Sequence, residues 1–387
     1  MRLHQIRILG REGLHTLTIR DGRISASDSR SEMHEPGDKG ICCNGALLFP
    51  GLVNSHDHLD FNLFPLLGNR TYRNYREWGR DIHSTQKEII REVLQVPAPL
   101  RTQWGIYKNL LNGFTTVVNH GEKLQVNDPL VEVFQNSHSL HSPGFENHWR
   151  RKLNRPTLRK MPVSIHIGEG TDSDTAAEIT GFSRWNMFRR KVVGVHGVSM
   201  NPRQARHFQA LVWCPASNYF MLNETAPVDE LSKYTSILFG TDSTLTAGWN
   251  SWEHFRLARA THKLSDQEIV DSLTETPVRI WKLQRSGTVE AGVRADLVLA
   301  RVKEGANSYE SFFSINPENI LLVLNSGRIM LFDKCMQEQL KDCMPPDRLF
   351  HPMRLGETVK YVAGDLPGLV KSIQQYFPAA EFPVTPI

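Results

Sequence analysis

Two histidines stand one residue apart in FPGLVNSHDHLDFN, residues 49–62, directly after an apolar run. A strand sends alternate side chains to opposite faces. If Leu52–His58 is extended, His56 and His58 share a face with Asn54, while Ser55 and Asp57 take the other. Two imidazoles side by side at a strand end can grip one metal ion, although an isolated H-x-H pair is a weak signal. Three more apolar runs end in polar groups. His166 closes PVSIHI with Glu169 three residues on, His196 closes KVVGVH, and Asp242 closes ILFGTD. Ser164 and His166 share parity, as do Val192, Gly194 and His196, and Leu238, Gly240 and Asp242. These sets are small or mixed. The odd positions, such as Val163, Ile165 and Ile167, are apolar and suit packing beneath helices.

The elements that must position these groups follow from the texture of the chain. Short apolar strands are expected at 51–57, 114–119, 162–167, 191–196, 210–214 and 235–241, with helices between them at 85–112, 172–190, 201–209 and 228–234. Helices are also expected near 251–262 and from Ser265, where Ser265 and Glu268 match a capping box. Such alternation predicts a parallel sheet covered by helices. In an eight-stranded parallel barrel, residues at the C-terminal strand ends converge on one site. His56, His58, His166 and Asp242 would then offer three nitrogens and one oxygen, a set suited to Zn²⁺ or Fe²⁺ with room for a water. His4, His15, His34, His207, His254 and His262 lie in termini or helices and read as bland.

Strand texture punctuated by turns occupies residues 1–50, including EPGDKG at 35–40, and it returns at RSGTVEAGVRADLVLARV. The expected organisation is one small β domain built from both termini, 1–50 and 286–334, flanking an inserted α/β domain over 51–285. A C-terminal extension over 335–387 carries a short helix around Leu369, Val370, Ile373, Tyr376 and Phe377.

Forty-five basic and 41 acidic residues leave a net charge of +4. The cations concentrate in HWRRKLNRPTLRK, 148–160, which reads as a solvated surface because no nucleic-acid module surrounds it. No apolar run reaches a membrane span, and no secretory h-region opens the chain, so neither nucleic acid nor membrane is an expected partner. Five cysteines without a C-x-x-C predict a reducing, cytoplasmic setting. A homodimer is compatible with these numbers.

The ordered set PGLVNSHDH, GFTTVV, HIGE, VHG, CPASN and GTDS, closed by SGTVEAGVRADLVL, resembles the amidohydrolase superfamily. Specifically it is similar to the mononuclear branch of cytosine, guanine and S-adenosylhomocysteine deaminases and triazine hydrolases. The resemblance implies a (β/α)₈ TIM-type barrel with a β-sandwich from both chain ends. It implies His56, His58, His166 and Asp242 as ligands of one Zn or Fe ion, Glu169 as the acid/base that protonates a ring nitrogen, and His196 as a group polarising the attacking water. Asp242 would accept the water's proton. No lysine stands at a barrel position suited to a bridging carbamate, which favours one metal over two. The implied reaction is hydrolysis of a C–N bond in a small amine-bearing heterocycle; a cyclic-amide hydrolase and a non-catalytic barrel are the alternatives. The span from Gly121 to Met161 is short for two strand–helix units, so strands three and four are expected to be abbreviated within VEVFQNSHSLHS.

Substrate contacts are expected from the long loop after the histidine pair, whose Arg73, Arg76 and Arg80 share a helical face amid Tyr72, Tyr75 and Trp78. That face reads either as solvent-facing or as a lid for a substrate with an acidic group. Asn62, Arg70, Trp78, His120, His141 and Trp249 are the candidate contacts, and Asn218 is expected to fix a turn.

Overall fold

The computed structural model describes residues 1–28, 40–284, 286–303 and 305–387; His34 and most of the turn expected at 35–40 lie outside them. Five strands open the chain: β1 (Arg2–Ile8), β2 (His15–Arg20), β3 (Arg23–Asp28), β4 (Ile41–Cys42) and β5 (Leu47–Pro50). Eight more follow: β6 (Leu52–Asp57), β7 (Phe114–Asn119), β8 (Glu132–Phe134), β9 (His138–Leu140), β10 (Val163–Ile167), β11 (Val192–His196), β12 (Ala210–Trp213) and β13 (Ser236–Phe239). The last six are β14 (Leu297–Ala300), β15 (Ile320–Asn325), β16 (Arg328–Asp333), β17 (Phe350–Leu355), β18 (Thr358–Ala363) and β19 (Val384–Pro386).

The outer strands form one sheet in the order β19-β17-β18-β16-β15-β14-β5-β1-β2-β3, with β4 beside β1. Its seam is the antiparallel pair β5–β14, where Phe49 faces Val298, so strands from both ends of the chain meet there. The hairpin β2–β3 turns at Asp21–Gly22, both at positive φ, the geometry that Asp-Gly favours. A Cβ at Gly22 would lie 2.7 Å from the carbonyl oxygen of Ser326 in the β15–β16 turn, so only glycine lets these turns touch. Residues 350–386 are continuous with this sheet through the β16–β18 pair, and the helix Leu366–Tyr376 buries Leu366, Leu369, Val370 and Ile373.

The middle strands are parallel and fall into two sheets, β6-β7-β8 and β13-β12-β11-β10-β9. Among the described residues no ladder joins β8 to β9 or β13 to β6. The physical reason is local. β8 and β9 are three residues each, the abbreviation expected for strands three and four. At the other seam β13 runs beside β6. Its link there is made by Asp242 N–H to His56 O (3.1 Å) and Thr241 N–H to the side-chain oxygen of Asn54 (3.1 Å) rather than by strand pairing.

Helices fill the connections: α1 (Tyr75–Thr85), α2 (Lys87–Gln95), α3 (Ala98–Leu111), α4 (Trp149–Leu153), α5 (Ser173–Trp185), α6 (Pro202–Ala205) and α7 (Pro215–Leu222). The single helix expected over 85–112 is two, broken at Val96–Pro97 because proline disfavours a helical residue before it. The capping box at Ser265 and Glu268 opens the helix Asp266–Leu273 as expected. No helix among the described residues is long and apolar enough to cross a membrane.

The parallel strands pack on two sides. Val163, Ile165 and Ile167 meet Ile179 and Phe182 of α5 in the large core, as parity predicts. β11 departs from expectation. Its odd residues, Val193 and Val195, join Val118, Val212 and Leu238 in a separate interior cluster, and Val192 belongs with the helix-side core. The ladder pairs His166 with Val195 and Ile167 with His196, so strand parity alone would turn His196 away from His166.

Candidate metal centre and active site

His196 reaches the interior because its backbone leaves the strand in the left-handed region, φ +72°. Asp242 does the same after β13, φ +56°. Such conformations at non-glycine residues cost roughly 1–2 kcal/mol and cluster at functional sites. β6 is irregular too. Its register slips between Asn54 and Asp57, and the Asn54 side-chain amide donates to the Asp57 carboxylate at 3.1 Å. Residues three apart cannot meet in a regular pleat. The shared face expected for Asn54, His56 and His58 is therefore corrected: Asn54 turns outward with Asp57, and the two histidines turn inward.

Three imidazoles and one carboxylate then converge. His166 Nε2 lies 3.1 Å from His56 Nε2 and 3.3 Å from His58 Nε2. Asp242 Oδ1 lies 3.7 Å from His56 Nε2 and 3.8 Å from His58 Nε2. His56, His166 and Asp242 are buried. Burial, with neighbouring imidazoles, holds His56 and His166 well below the ordinary histidine range, so both present neutral rings. Burial pushes the Asp242 carboxyl up, but His58, His196 and its hydrogen bonds more than offset this and keep it low. Neutral imidazole nitrogens and an ionised carboxylate aimed at one point are the donor chemistry a divalent metal requires, so the residues fit such an ion.

Asp242 is firmly oriented. Its Oδ2 accepts from Ser217 Oγ (2.8 Å) and Thr246 Oγ1 (3.1 Å), and Oδ1 from Ser243 N–H (2.8 Å). Glu169 Oε1 stands 3.5 Å from His196 Nε2. Burial, then the Asp242 charge, raises the Glu169 carboxyl well above its usual range. Burial lowers His196 to about 4. Asn218 Nδ2 donates to His196 Nδ1 at 2.9 Å, which leaves the proton of the neutral ring on Nε2, facing Glu169. Asn218 thus fixes a ring rather than only a turn. Ser217 and Asn218 both come from the first turn of α7, within CPASN, which was the available signal.

Behind the centre lies a polar network that sequence reasoning missed. Lys108 of α3 is buried, with Nζ 3.3 Å from Asp57 Oδ2, 3.2 Å from Thr241 Oγ1 and 3.5 Å from the Asp242 carbonyl. Asp57 also accepts from Asn109 and Asn62, each at 2.7 Å. The network ties the residue between the paired histidines to the strand end that carries Asp242.

The candidate substrate contacts separate into two groups. His120 and His141 join the cluster, with ring centroids 4.3 and 5.2 Å from that of His166. His120 is buried; its Nε2 meets the Leu140 carbonyl at 3.1 Å and its Nδ1 has no partner. The other four are held elsewhere. Asn62 binds Asp57, Arg70 pairs with Glu77 and Asp81, and Trp78 Nε1 donates to Leu67 O at 2.7 Å. Trp249 lines a cavity of about 610 Å³ with Asn62, Trp104 and Phe382. The arginines of the long loop are likewise engaged: Arg73 pairs with Glu77, and Arg76 with Glu178.

Part of the sequence and the fold of the chain are similar to those of known proteins. A model described as the amidohydrolase family matches residues 152–330. A 5-methylthioadenosine/S-adenosylhomocysteine deaminase of Pyrococcus furiosus is 22% identical over 74% of this chain and 81% of its own. An adenosine deaminase from Xanthomonas campestris with bound zinc superposes with a TM-score of 0.72 at 16% identity, covering 97% of each chain. A zinc complex of atrazine chlorohydrolase from Arthrobacter aurescens gives 0.68 at 16% identity, over 97% of this chain and 100% of that one. A guanine deaminase from C. acetobutylicum with guanine in its active site gives 0.64 at 13% identity, over 85% and 99%. Over residues 152–330 the chain thus matches the amidohydrolase family, and over nearly its whole length it shares the fold of the adenosine deaminase and atrazine chlorohydrolase structures.

Proposed function

We propose that this chain is an amidohydrolase that removes an amino group, as ammonia, from a small nitrogen heterocycle. The observation that carries the reading is the pairing of Glu169 with His196 at 3.5 Å beside the four convergent donors. His56, His58, His166 and Asp242 would hold one Zn²⁺ or Fe²⁺. When bound, that ion supplies Lewis acidity and a water that ionises near neutral pH. The chain's own groups do the rest. Asp242 takes the proton of the attacking water through Oδ1 and passes it to the departing amino group, which leaves as ammonia, while Ser217 and Thr246 keep its carboxylate from rotating. Glu169, raised by burial, delivers a proton to the ring nitrogen beside the attacked carbon and recovers one from the hydroxyl as the product carbonyl forms. His196, its tautomer set by Asn218, points an N–H at the charge developing on oxygen.

The reading takes the two parallel sheets as arcs of one (β/α)₈ barrel. The approach of β13 to β6 and the convergence of strand-end side chains support it. Relatives described as deaminases of adenosine, guanine and 5-methylcytosine support the substrate class.

Ammonia release from the zinc- and iron-loaded protein across a panel of aminated and cyclic-amide heterocycles tests it. Ammonia from at least one aminated ring is the expected result. Ring opening without ammonia assigns the cyclic-amide alternative instead. Metal far below one ion per chain after loading overturns the catalytic reading.

A further inference from the structure

The basic segment 148–160 plays no part in the site described above. It lies in the connection that enters β10 at its N-terminal end, beside the loop that enters β11 at its own, whereas His166 and His196 sit at the C-terminal ends. The segment packs against the residues that follow α5. Asn154 Nδ2 donates to Trp185 O at 2.7 Å, and Met187 N–H donates to Asn154 Oδ1 at 3.1 Å. The buried Arg190 locks the two loops together by donating to Leu153 O (2.7 Å) and Met161 O (3.0 Å).

The surface so formed has two unusual properties. Trp185, Met187 and Phe188 are exposed by 44, 63 and 44%, three large apolar side chains within four residues. Around them the exposed Arg151, Arg155, Arg159, Lys160, Arg184 and Arg189 have no acidic partner among the described residues. The sequence explains why: no Asp or Glu lies between Glu146 and Glu169, or between Glu178 and Glu224.

We infer that this face docks on an anionic lipid surface, with Trp185, Met187 and Phe188 entering the headgroup region and the surrounding arginines and Lys160 meeting lipid phosphates. Charge complementarity selects that occupant. A second copy of the chain would bring like charges together across a two-fold axis. A nucleic acid would match the charge but gives Met187, the most exposed of the three, nothing to bind. An acyl boundary accepts thioether and aromatic rings alike, and tryptophan is at home there. The helices run antiparallel to the strands, so docking leaves the metal centre facing away from the bilayer and open to a soluble substrate. Loading is peripheral, which agrees with the lack of a spanning helix among the described residues.

Co-sedimentation of the full chain with phospholipid vesicles tests the inference. On vesicles of phosphatidylcholine with about one-third phosphatidylglycerol, binding should exceed that on phosphatidylcholine alone by about tenfold or more, and should weaken steeply with salt. Two variants change only exposed side chains: Trp185→Ser with Met187→Ser and Phe188→Ser, and Arg151→Glu with Arg155→Glu and Lys160→Glu. Each should lose about tenfold in binding to the anionic vesicles, with unchanged circular dichroism. Equal binding to both vesicle types, no binding to either, or full binding by the serine variant overturns the inference. So does tighter retention of a single-stranded oligonucleotide than of the anionic vesicles at the same salt.

Discussion

Replacing Lys108 by methionine keeps most of the side-chain volume and removes the ammonium. Asp57, fully buried, then loses the cation 3.3 Å away. Breaking a buried ion pair from one side typically costs about 3–5 kcal/mol, because a charge is left without compensation. Here Asp57 keeps the side-chain N–H donors of Asn109, Asn62 and Asn54, at 2.7, 2.7 and 3.1 Å, so a loss near the lower end, about 3 kcal/mol, is expected. Asp57→Asn alone should cost a similar amount by stranding Lys108, whose remaining acceptors are the Thr241 hydroxyl and the Asp242 carbonyl. The double variant leaves no unpaired charge. Its destabilisation should fall short of the sum of the singles by about 2–3 kcal/mol, the signature of direct coupling. Urea denaturation of the metal-free proteins measures all four corners. Calorimetric zinc titration then asks about position. Lys108→Met removes the donor that holds the Thr241–Asp242 segment, so zinc affinity should drop about tenfold or more even where the protein is folded, as expected for an outer-shell partner. Additive single effects, or a Lys108→Met protein with unaltered zinc affinity, would refute the argument that this network sets the ligand geometry.

Three other outcomes follow from the same geometry. His56→Ala and Asp242→Ala should each lose both bound metal, measured by mass spectrometry, and turnover. Glu169→Gln should keep its metal and lose about 10²–10⁴-fold in kcat, the usual contribution of a positioned proton donor; full turnover would remove its assigned role. The last outcome concerns acid stability. Burial, helped by the Lys108 charge, lowers His254 from 6.5 to about 4. Between those values the unfolded chain binds a proton that the folded one refuses, so stability declines as pH falls from about 6.5 to about 4, by up to about 3 kcal/mol from this group. Urea midpoints against pH, compared with His254→Gln, measure it; the same slope in the variant would exclude His254 as the source.

The elements most legible in the sequence are those whose signals are local. Phe114–Asn119 is a strand over the span its β-branched run suggests, and Ser265 caps a helix through Glu268 three residues on. The polar residues closing apolar strands are also brought together, with His56, His58, His166 and Asp242 converging. What stayed hidden depends on partners distant in sequence or on backbone outside the strand region. Lys108 lies in IYKNLLNG, which reads as a polar position on an ordinary helix; only Asp57, 51 residues away, makes it a buried cation. Arg70 and Trp78 carry the right chemistry for a lid, but nearer partners within their own loop and helix satisfy them.

Parity is the more instructive failure. It assigns His166 correctly because β10 remains regular to its end. It fails for Asn54, where β6 slips, and for His196, where a left-handed residue reverses the last side chain. Both irregularities sit where side chains meet at the candidate metal centre. A strand supplies one inward residue in every two, spaced along its axis, whereas a compact donor set needs consecutive groups to turn toward one point. The positive φ values of His196 and Asp242 meet that need at a cost of roughly 1–2 kcal/mol each. The hydrogen bonds from Asn218 to His196, and from Ser217, Thr246 and Ser243 to Asp242, are what can hold those conformations in place. In this chain the strain and the residues that offset it are therefore parts of one device: Ser243 and Thr246 follow Asp242 closely, while Ser217 and Asn218 are brought in from the start of α7.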